Sequence, residues 1–204
     1  MEHLGETYIS VSYTRDNYVN LNLRMRSENT IWNSAIDMFI DRIEGRYINV
    51  IKRMLSDNTI MIDGFPVMAL DCLLIETLLQ FRNGWDETQG PNKTQYSNFL
   101  LSAFPSEFHN VRTLADKFYK NIRCGILHSA QTKNGSQLTF GKPFAINEIN
   151  ERQISVDVVK MTYRIFDYFY LYIDELFNEN NDYLRYNFMC KMNYICRNYP
   201  CSLD

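Results

Sequence analysis

The residues best suited to chemistry lie close together between positions 118 and 129. Arg123 and His128 are separated by four residues, and Lys120 comes three positions before the arginine. Arginine stays cationic and holds a phosphate with a planar fork, whereas histidine exchanges protons near neutral pH. Such a pair could bind an RNA phosphate, help to deprotonate a 2′-hydroxyl and stabilise charge as a phosphodiester breaks. This chemistry needs no metal or other cofactor, and none is predicted.

Three neighbours of this pair could take part in the same site. Tyr119 and Lys120 lie about one helical turn before Arg123 and could contact RNA, although a packed tyrosine and a solvated lysine form the alternative interpretation. Cys124 lies four residues before His128, which leaves a Cys–His nucleophile as a further interpretation. A cysteine among apolar neighbours is usually inert, so the sequence favours the Arg–His pair.

Two carboxyl groups are predicted to lie on an otherwise apolar helix. Asp71 and Glu76 stand among Val, Met, Ala, Leu, Cys and Ile residues. A carboxylate that is buried alone costs several kcal/mol, so each needs a cationic or hydrogen-bonding partner. Arg123 is the predicted partner of Glu76, either to orient the guanidinium or to take part in proton transfer.

Composition limits the class of protein. The chain has 204 residues, of which 46% are apolar, so it can bury a core and is predicted to form one domain over residues 1–204. Its formal net charge of −3 excludes a strongly basic nucleic-acid coat protein but not a local basic patch. Gly-rich phosphate loops, Gly-x-Ser-x-Gly elbows and His-Glu-x-x-His pairs are absent from the sequence. No uninterrupted apolar run approaches the roughly 18 residues of a membrane span, which predicts a soluble, cytoplasmic protein.

The hydrophobic pattern predicts a mainly α protein, a bundle of five to six helices with small β-hairpins. Alternating apolar residues over 7–25 predict an N-terminal hairpin within residues 1–26, and residues 138–146 predict a second hairpin at mid-chain. Apolar residues at steps of three and four, or continuous apolar runs, predict the helices. These cover residues 36–55, 67–81, 99–104, 111–130, 158–176 and a C-terminal helix within 182–204.

Ideal helical geometry separates the two candidate catalytic residues. Five residues rotate an α-helix by about 500°, which leaves Arg123 and His128 about 140° apart. The pair therefore requires a distorted helix, and Gly125 is the predicted point of distortion. The small Cys124 and Gly125 could instead let another backbone approach His128, as in a dimer cleft, or simply ease helix packing.

The segment Arg123-Cys124-Gly125-Ile126-Leu127-His128 resembles the Arg-x(4–6)-His motif of the HEPN superfamily, and it is similar to that of uncharacterised bacterial proteins with an Arg-Cys-Gly-x-Leu-His core. The resemblance implies a HEPN-like helical domain and a metal-independent endoribonuclease. Arg123 and His128 of two subunits would form a composite site that cleaves single-stranded RNA and leaves a 2′,3′-cyclic phosphate. The implied partners are RNA, a second copy of the chain and an unidentified regulator or antitoxin, in a defence or toxin setting.

A second interpretation stays open beside the enzyme. The chain could be a non-catalytic helical module that binds RNA or protein and keeps the Arg–His pair for structure. Cys124, at a position that is commonly polar in active HEPN members, and the acidic net charge favour this module. Ala130 stands where some HEPN toxins carry a tyrosine that their antitoxin modifies, so the resemblance does not imply that form of control.

Overall fold

The computed structural model describes residues 7–56, 60–88 and 92–197, and it is mainly helical with a small β-sheet, as predicted. Two π-helical turns, π1 (Glu44–Ile48) and π2 (Phe118–Arg123), join α2 to α3 and α7 to α8. The α-helices are α1 Arg15–Leu21, α2 Asn29–Ile43, α3 Asn49–Ser56, α4 Ile60–Asn83, α5 Asn92–Ala103, α6 Pro105–Phe108, α7 Arg112–Lys117, α8 Cys124–Ser129, α9 Val158–Phe177 and α10 Asp182–Arg197. The helices predicted from the pattern are present, and residues 198–204 of the predicted C-terminal helix lie outside the described residues.

The chain forms two compact units. The first takes the described residues of 1–50, 80–88 and 169–204, and the second takes those of 51–79 and 89–168. The single domain predicted over 1–204 stays a prediction. All the candidate site residues belong to the second unit.

Aromatic rings form the core of the first unit. The ring of Phe39 lies 4.2 Å from that of Phe81 and 5.5 Å from that of Phe188, measured between centroids. Trp32 is fully buried, and the guanidinium of Arg185 lies 4.8 Å from its ring centroid. Tilted and edge-on ring contacts of this kind add to the burial of apolar area, so this unit is held by close packing.

The predicted N-terminal hairpin is wrong. Tyr8 and Thr14 form an isolated antiparallel bridge, but α1 begins at Arg15. Thr14 caps this helix, because its hydroxyl accepts from the Asn17 backbone N–H and the Asn17 side chain accepts from the Thr14 N–H. The pair Asp16-Asn17, predicted as a β-turn, therefore forms the first turn of a helix, since Asp and Asn favour helix starts as well as turns. Residues 1–6 of the predicted hairpin lie outside the described residues.

The mid-chain strands pair differently from the prediction. Strands β1 (Gln137–Thr139) and β2 (Ile146–Asn150) do not pair with each other; both flank β3 (Gln153–Asp157), in the order β1-β3-β2. The β1–β3 pairing is parallel and the β2–β3 pairing is antiparallel. Strand β3 is the central strand of the sheet, and its Ile154 and Val156 are both fully buried.

Helix α4 supplies the apolar wall of the second unit. Val67, Met68, Leu74, Ile75 and Leu78 are all fully buried. By length and composition, residues Gly64–Asn83 could cross a membrane, because such a count tolerates single charged residues that interrupt an apolar run. However, 56% of the 18-residue window behind this count is buried inside the protein, and a buried core helix passes the same test.

Candidate functional site

The site is built on the continuous helical run of α7, π2 and α8. Phe118 and Ile122 of π2 are fully buried and anchor the run in the second unit. The backbone N–H of Cys124 bonds to the carbonyl of Tyr119, five residues earlier, so the turn before Cys124 is wider than an α-helical turn. Wide turns of this kind are frequent at functional sites. The helix is thus distorted just before its candidate catalytic residues, at residues 118–123 rather than at Gly125.

Three predicted site residues meet at the end of this wide turn. Arg123 Nη1 lies 3.1 Å from His128 Nε2, and Arg123 Nη2 donates to Glu76 Oε2 at 2.5 Å. The wide turn ends at Arg123, and the residues from there to His128 are α-helical, so the predicted distortion between the pair is absent and the long arginine side chain makes the contact. The predicted pairing of Glu76 with Arg123 is confirmed.

The guanidinium of Arg123 is largely withdrawn from water. The side chains of Arg123 and Glu76 are only 12% and 18% exposed, so their ion pair is poorly screened. Burial lowers the pKa of Arg123, but the hydrogen bond and charge of Glu76 outweigh that effect and raise it above the ordinary arginine value. Arg123 is therefore a fixed cation that Glu76 holds in one orientation.

His128 is the exposed member of the cluster. A guanidinium can only donate hydrogen bonds, so Nε2 of His128 accepts from Arg123 and the ring proton lies on Nδ1 in this arrangement. The lone pair of Nε2 is thus directed at a cation, and His128 as a residue is exposed whereas Arg123 is largely covered.

An aromatic layer backs the guanidinium. Arg123 lies 5.6 Å from the ring centroid of Tyr119, whose centroid is 5.4 Å from that of the buried Tyr96. Tyr119 is half-buried, and burial raises the pKa of its hydroxyl. Lys120 is exposed on the same turn and enters no ion pair among the residues that the structure describes. Tyr119 thus supports Arg123 from behind, whereas Lys120 remains a solvated cation, and no contact places it in the cluster.

A loop of the same chain closes against Gly125. A Cβ atom at Gly125 would lie 2.5 Å from the carbonyl oxygen of Gln131 and 3.2 Å from the backbone N of Lys133. The chain turns back so tightly because Ala130 adopts a left-handed conformation with φ of 51°. The segment that packs against Gly125 is thus residues 131–133 of this chain, and the approach of a second copy to His128 stays a prediction.

Asn121 holds this loop in place through hydrogen bonds, a role that the sequence analysis did not predict. Its side-chain amide donates to Ser136 Oγ at 3.0 Å and to the carbonyl of Arg152 at 2.8 Å, and its Oδ1 accepts from Asn134 at 2.7 Å. Its backbone carbonyl accepts from the N–H of Lys133 at 2.8 Å. An asparagine inside a predicted helix two residues before the arginine was the only signal available.

Within the described residues, Asp71 has no hydrogen bond or ion pair with the Arg123 cation, and it differs from Glu76 in its hydrogen-bond partner. It is fully buried, and its Oδ2 accepts a 2.6 Å hydrogen bond from Thr162 Oγ1. Burial raises its pKa to about 8, and the bond from Thr162 only partly offsets that rise. The partner of Asp71 is thus a hydroxyl and not a cation. With a pKa of about 8, Asp71 is mostly protonated at neutral pH.

The described part of the second unit thus carries a Glu–Arg–His cluster on a distorted helix, beside an apolar helix and a small sheet. The chain matches none of the protein-family models, curated proteins or solved structures with which it was compared. The class that fold and site define is therefore a mainly α protein with an ion-paired arginine that contacts an exposed histidine.

Proposed function

We propose that this protein is a metal-independent endoribonuclease of HEPN type that cleaves single-stranded RNA. The observation that carries the proposal is the 3.1 Å contact between Arg123 Nη1 and His128 Nε2. Two groups this close can act on one phosphodiester, one as a cation and the other as a proton acceptor. The Glu76 bond adds the fixed orientation that electrostatic stabilisation requires.

Each residue has a defined part in the proposed reaction. His128 Nε2 exchanges the hydrogen bond from Arg123 for one from the 2′-hydroxyl and takes its proton, and the 2′-oxygen forms a bond to phosphorus. The bond from phosphorus to the 5′-oxygen breaks, and that oxygen takes a proton from water. Arg123 stabilises the negative charge on the phosphate, and Glu76 positions Arg123. The products are a 2′,3′-cyclic phosphate and a 5′-hydroxyl.

The proposal includes a homodimer in the cytoplasm, in a defence or toxin setting, under an unidentified regulator. The exposure of His128 supports a site that is shared between two copies of the chain, since the residue faces solvent in a single copy. Lys120 and Tyr119 are the candidate RNA contacts nearest to Arg123 in sequence.

A second candidate is a non-catalytic module that binds RNA or protein. The low exposure of Arg123, at 12%, favours it, because the guanidinium is already engaged by Glu76, Tyr119 and His128. In this case the cluster would stabilise the second unit and would not turn over a substrate.

Cleavage of mixed single-stranded RNA in EDTA separates the two candidates. We expect cleavage by the wild type, and a loss of about 100- to 10,000-fold in both Arg123→Ala and His128→Ala, the range of proton-transfer catalysis. Arg112→Ala is the matched control, because Arg112 lies on the same helical run but pairs with Asp116 on the surface. Circular dichroism checks that each variant is folded. A folded, dimeric wild type that binds RNA without cleaving it would contradict the enzyme and favour the module.

A further inference from the structure

A second feature of the same unit has the shape of a ligand site. A cavity of about 560 Å³ lies between the end of α6, the segment that leads into β2 and the first turns of α9. Its volume falls within the roughly 300–1,000 Å³ of small-molecule sites. The buried Ala145 and Ile146 contribute to its wall.

Two aromatic rings line this cavity in unusually exposed positions. Phe144 is 60% exposed and Tyr163 is 52% exposed, although each could bury a large apolar area. They reach the cavity from different elements, the segment before β2 and helix α9. Exposed aromatic rings that line a concave site are the usual platform for stacking a planar ring, and nucleobases are planar rings with a π-face.

The charged groups around the cavity divide into a paired set and an unpaired set. Arg164 bonds Glu107 at 2.8 Å and lies 3.7 Å from Asp167, so these three side chains largely neutralise one another. Lys160 and His109 also line the cavity, and neither side chain enters an ion pair among the residues that the structure describes. The unpaired ammonium and imidazole are therefore available to an anion.

The backbone at the edge of the cavity is also constrained. His109 ends α6 with φ of 49°, and Asn110 follows with φ of 57°. A left-handed residue is a common helix end, and Asn and His tolerate this conformation better than most residues. The two residues direct the chain away from α6 next to the cavity.

We propose that this cavity binds one nucleotide of a single-stranded RNA, with the base stacked on Phe144 and Tyr163 and the phosphate held by Lys160 and His109. The inference rests on the proposed function for the identity of the strand. Stacking carries most of the affinity, because the paired carboxylates leave little net positive charge. The contact is sequence-tolerant, as every base offers a π-face. A free mononucleotide has the same chemistry and is the other source of this ligand.

Binding of a fluorescein-labelled 2′-O-methyl oligonucleotide tests the inference. This probe lacks the 2′-hydroxyl nucleophile, so its anisotropy reports binding whether or not the protein cleaves RNA. We expect Phe144→Ala and Tyr163→Ala each to weaken binding by roughly 5- to 150-fold, the range for removal of one stacking ring. Lys160→Ala should lower the slope of log affinity against log salt by about 0.7. Tyr183→Ala, which removes a tyrosine that is 71% exposed on α10, should leave the affinity unchanged.

Competition with unlabelled uridine and adenosine monophosphates identifies the source of the ligand. If only unlabelled oligonucleotide displaces the probe, the result supports an RNA contact. If a mononucleotide displaces the probe at equal concentration, the cavity binds a free nucleotide and the proposed RNA strand is wrong. Unchanged affinity in both aromatic variants, or no binding by the wild type, would overturn the site itself. A wild type that binds through Phe144 and Tyr163 but cleaves no RNA would retain this inference and overturn only the proposed nuclease.

Discussion

Two carboxyl groups of helix α4 lie five residues apart and have different environments. Asp71 is fully buried, bonds to the hydroxyl of Thr162 and has a pKa of about 8. Glu76 is 18% exposed and forms an ion pair with Arg123 at 2.5 Å. The helix and the kind of side chain are the same, but the partner differs. Burial without a cation raises the pKa of Asp71, and the bond from Thr162 only partly offsets that rise, whereas Glu76 has a guanidinium beside it.

The difference teaches which carboxyl group can serve the proposed chemistry. A neutral Asp71 cannot orient a cation, and its unpartnered Oδ1 has no hydrogen bond within the described chain. Glu76 can orient Arg123 and, through it, the histidine. We therefore expect changes at Asp71 to act on stability and changes at Glu76 to act mainly on the proposed activity, and substitutions at four residues of these two environments test this.

The largest effect is expected on the pH dependence of the free energy of unfolding, through the titration of Asp71. Its folded pKa of about 8 lies above its unfolded value, so the folded state binds the extra proton between about pH 4 and 8. In that window the free energy of unfolding should fall as pH rises, by up to about 1.4 kcal/mol per pH unit from this group. Urea unfolding of wild type and Asp71→Asn measures it. The variant should remove this part of the fall, and equal pH slopes in both proteins would contradict the buried neutral carboxyl.

Removal of the Glu76 carboxylate should mainly affect activity. Glu76→Ala frees Arg123 to move, and misplacement of a catalytic group by about 1 Å can lower a rate by about 100-fold. Glu76→Gln keeps a hydrogen-bond acceptor and should recover part of that loss. The measurement is kcat and KM for RNA cleavage in the three proteins. Equal activity in Glu76→Ala and wild type, with both folded, would show that Glu76 does not position Arg123.

Removal of the Arg123 guanidinium tests the pair of Glu76 and Arg123 through the free energy of unfolding. Arg123→Ala leaves Glu76 without its partner in a poorly hydrated place, and we expect a loss of about 2 kcal/mol in the free energy of unfolding. Adding Glu76→Gln to this variant should restore part of the loss. The surface pair of Arg112 and Asp116 is the control, since Arg112→Ala should cost about 1 kcal/mol or less. Equal losses of stability in Arg123→Ala and Arg112→Ala would show that the buried pair contributes no more than the surface pair.

The smallest effect is expected at Thr162. Thr162→Val removes the hydrogen bond to Asp71 and should lower the free energy of unfolding by about 1 kcal/mol. Because that bond lowers the pKa of Asp71, the variant should also raise the pH at which the stability stops falling. Urea unfolding across pH 5–9 measures both quantities. A loss that is the same at every pH would show that the hydroxyl does not distinguish the two protonation states.

The sequence alone predicted the mainly α class and the long helices, because their apolar residues recur at helical steps. It failed at the N-terminus, where Asp16-Asn17 suits a turn and a helix start equally well, and the cap by Thr14 decided for the helix. It failed also to predict strand β3, which forms a hairpin with the neighbouring β2 and pairs in parallel with the more distant β1. Local pattern does not contain the register of such pairings.

For the candidate site, the sequence determined the members and the tertiary structure determined their arrangement. The types and spacing of Arg123, His128 and Glu76 sufficed to predict which residues would meet. Only the fold supplied the wide turn at residues 118–123, which departs from ideal helical geometry before the Arg–His pair, and only the fold gave Glu76 a cation and Asp71 a hydroxyl. The physical reason is that the charge state of a buried group depends on its neighbours in space, and those neighbours come from distant parts of the chain.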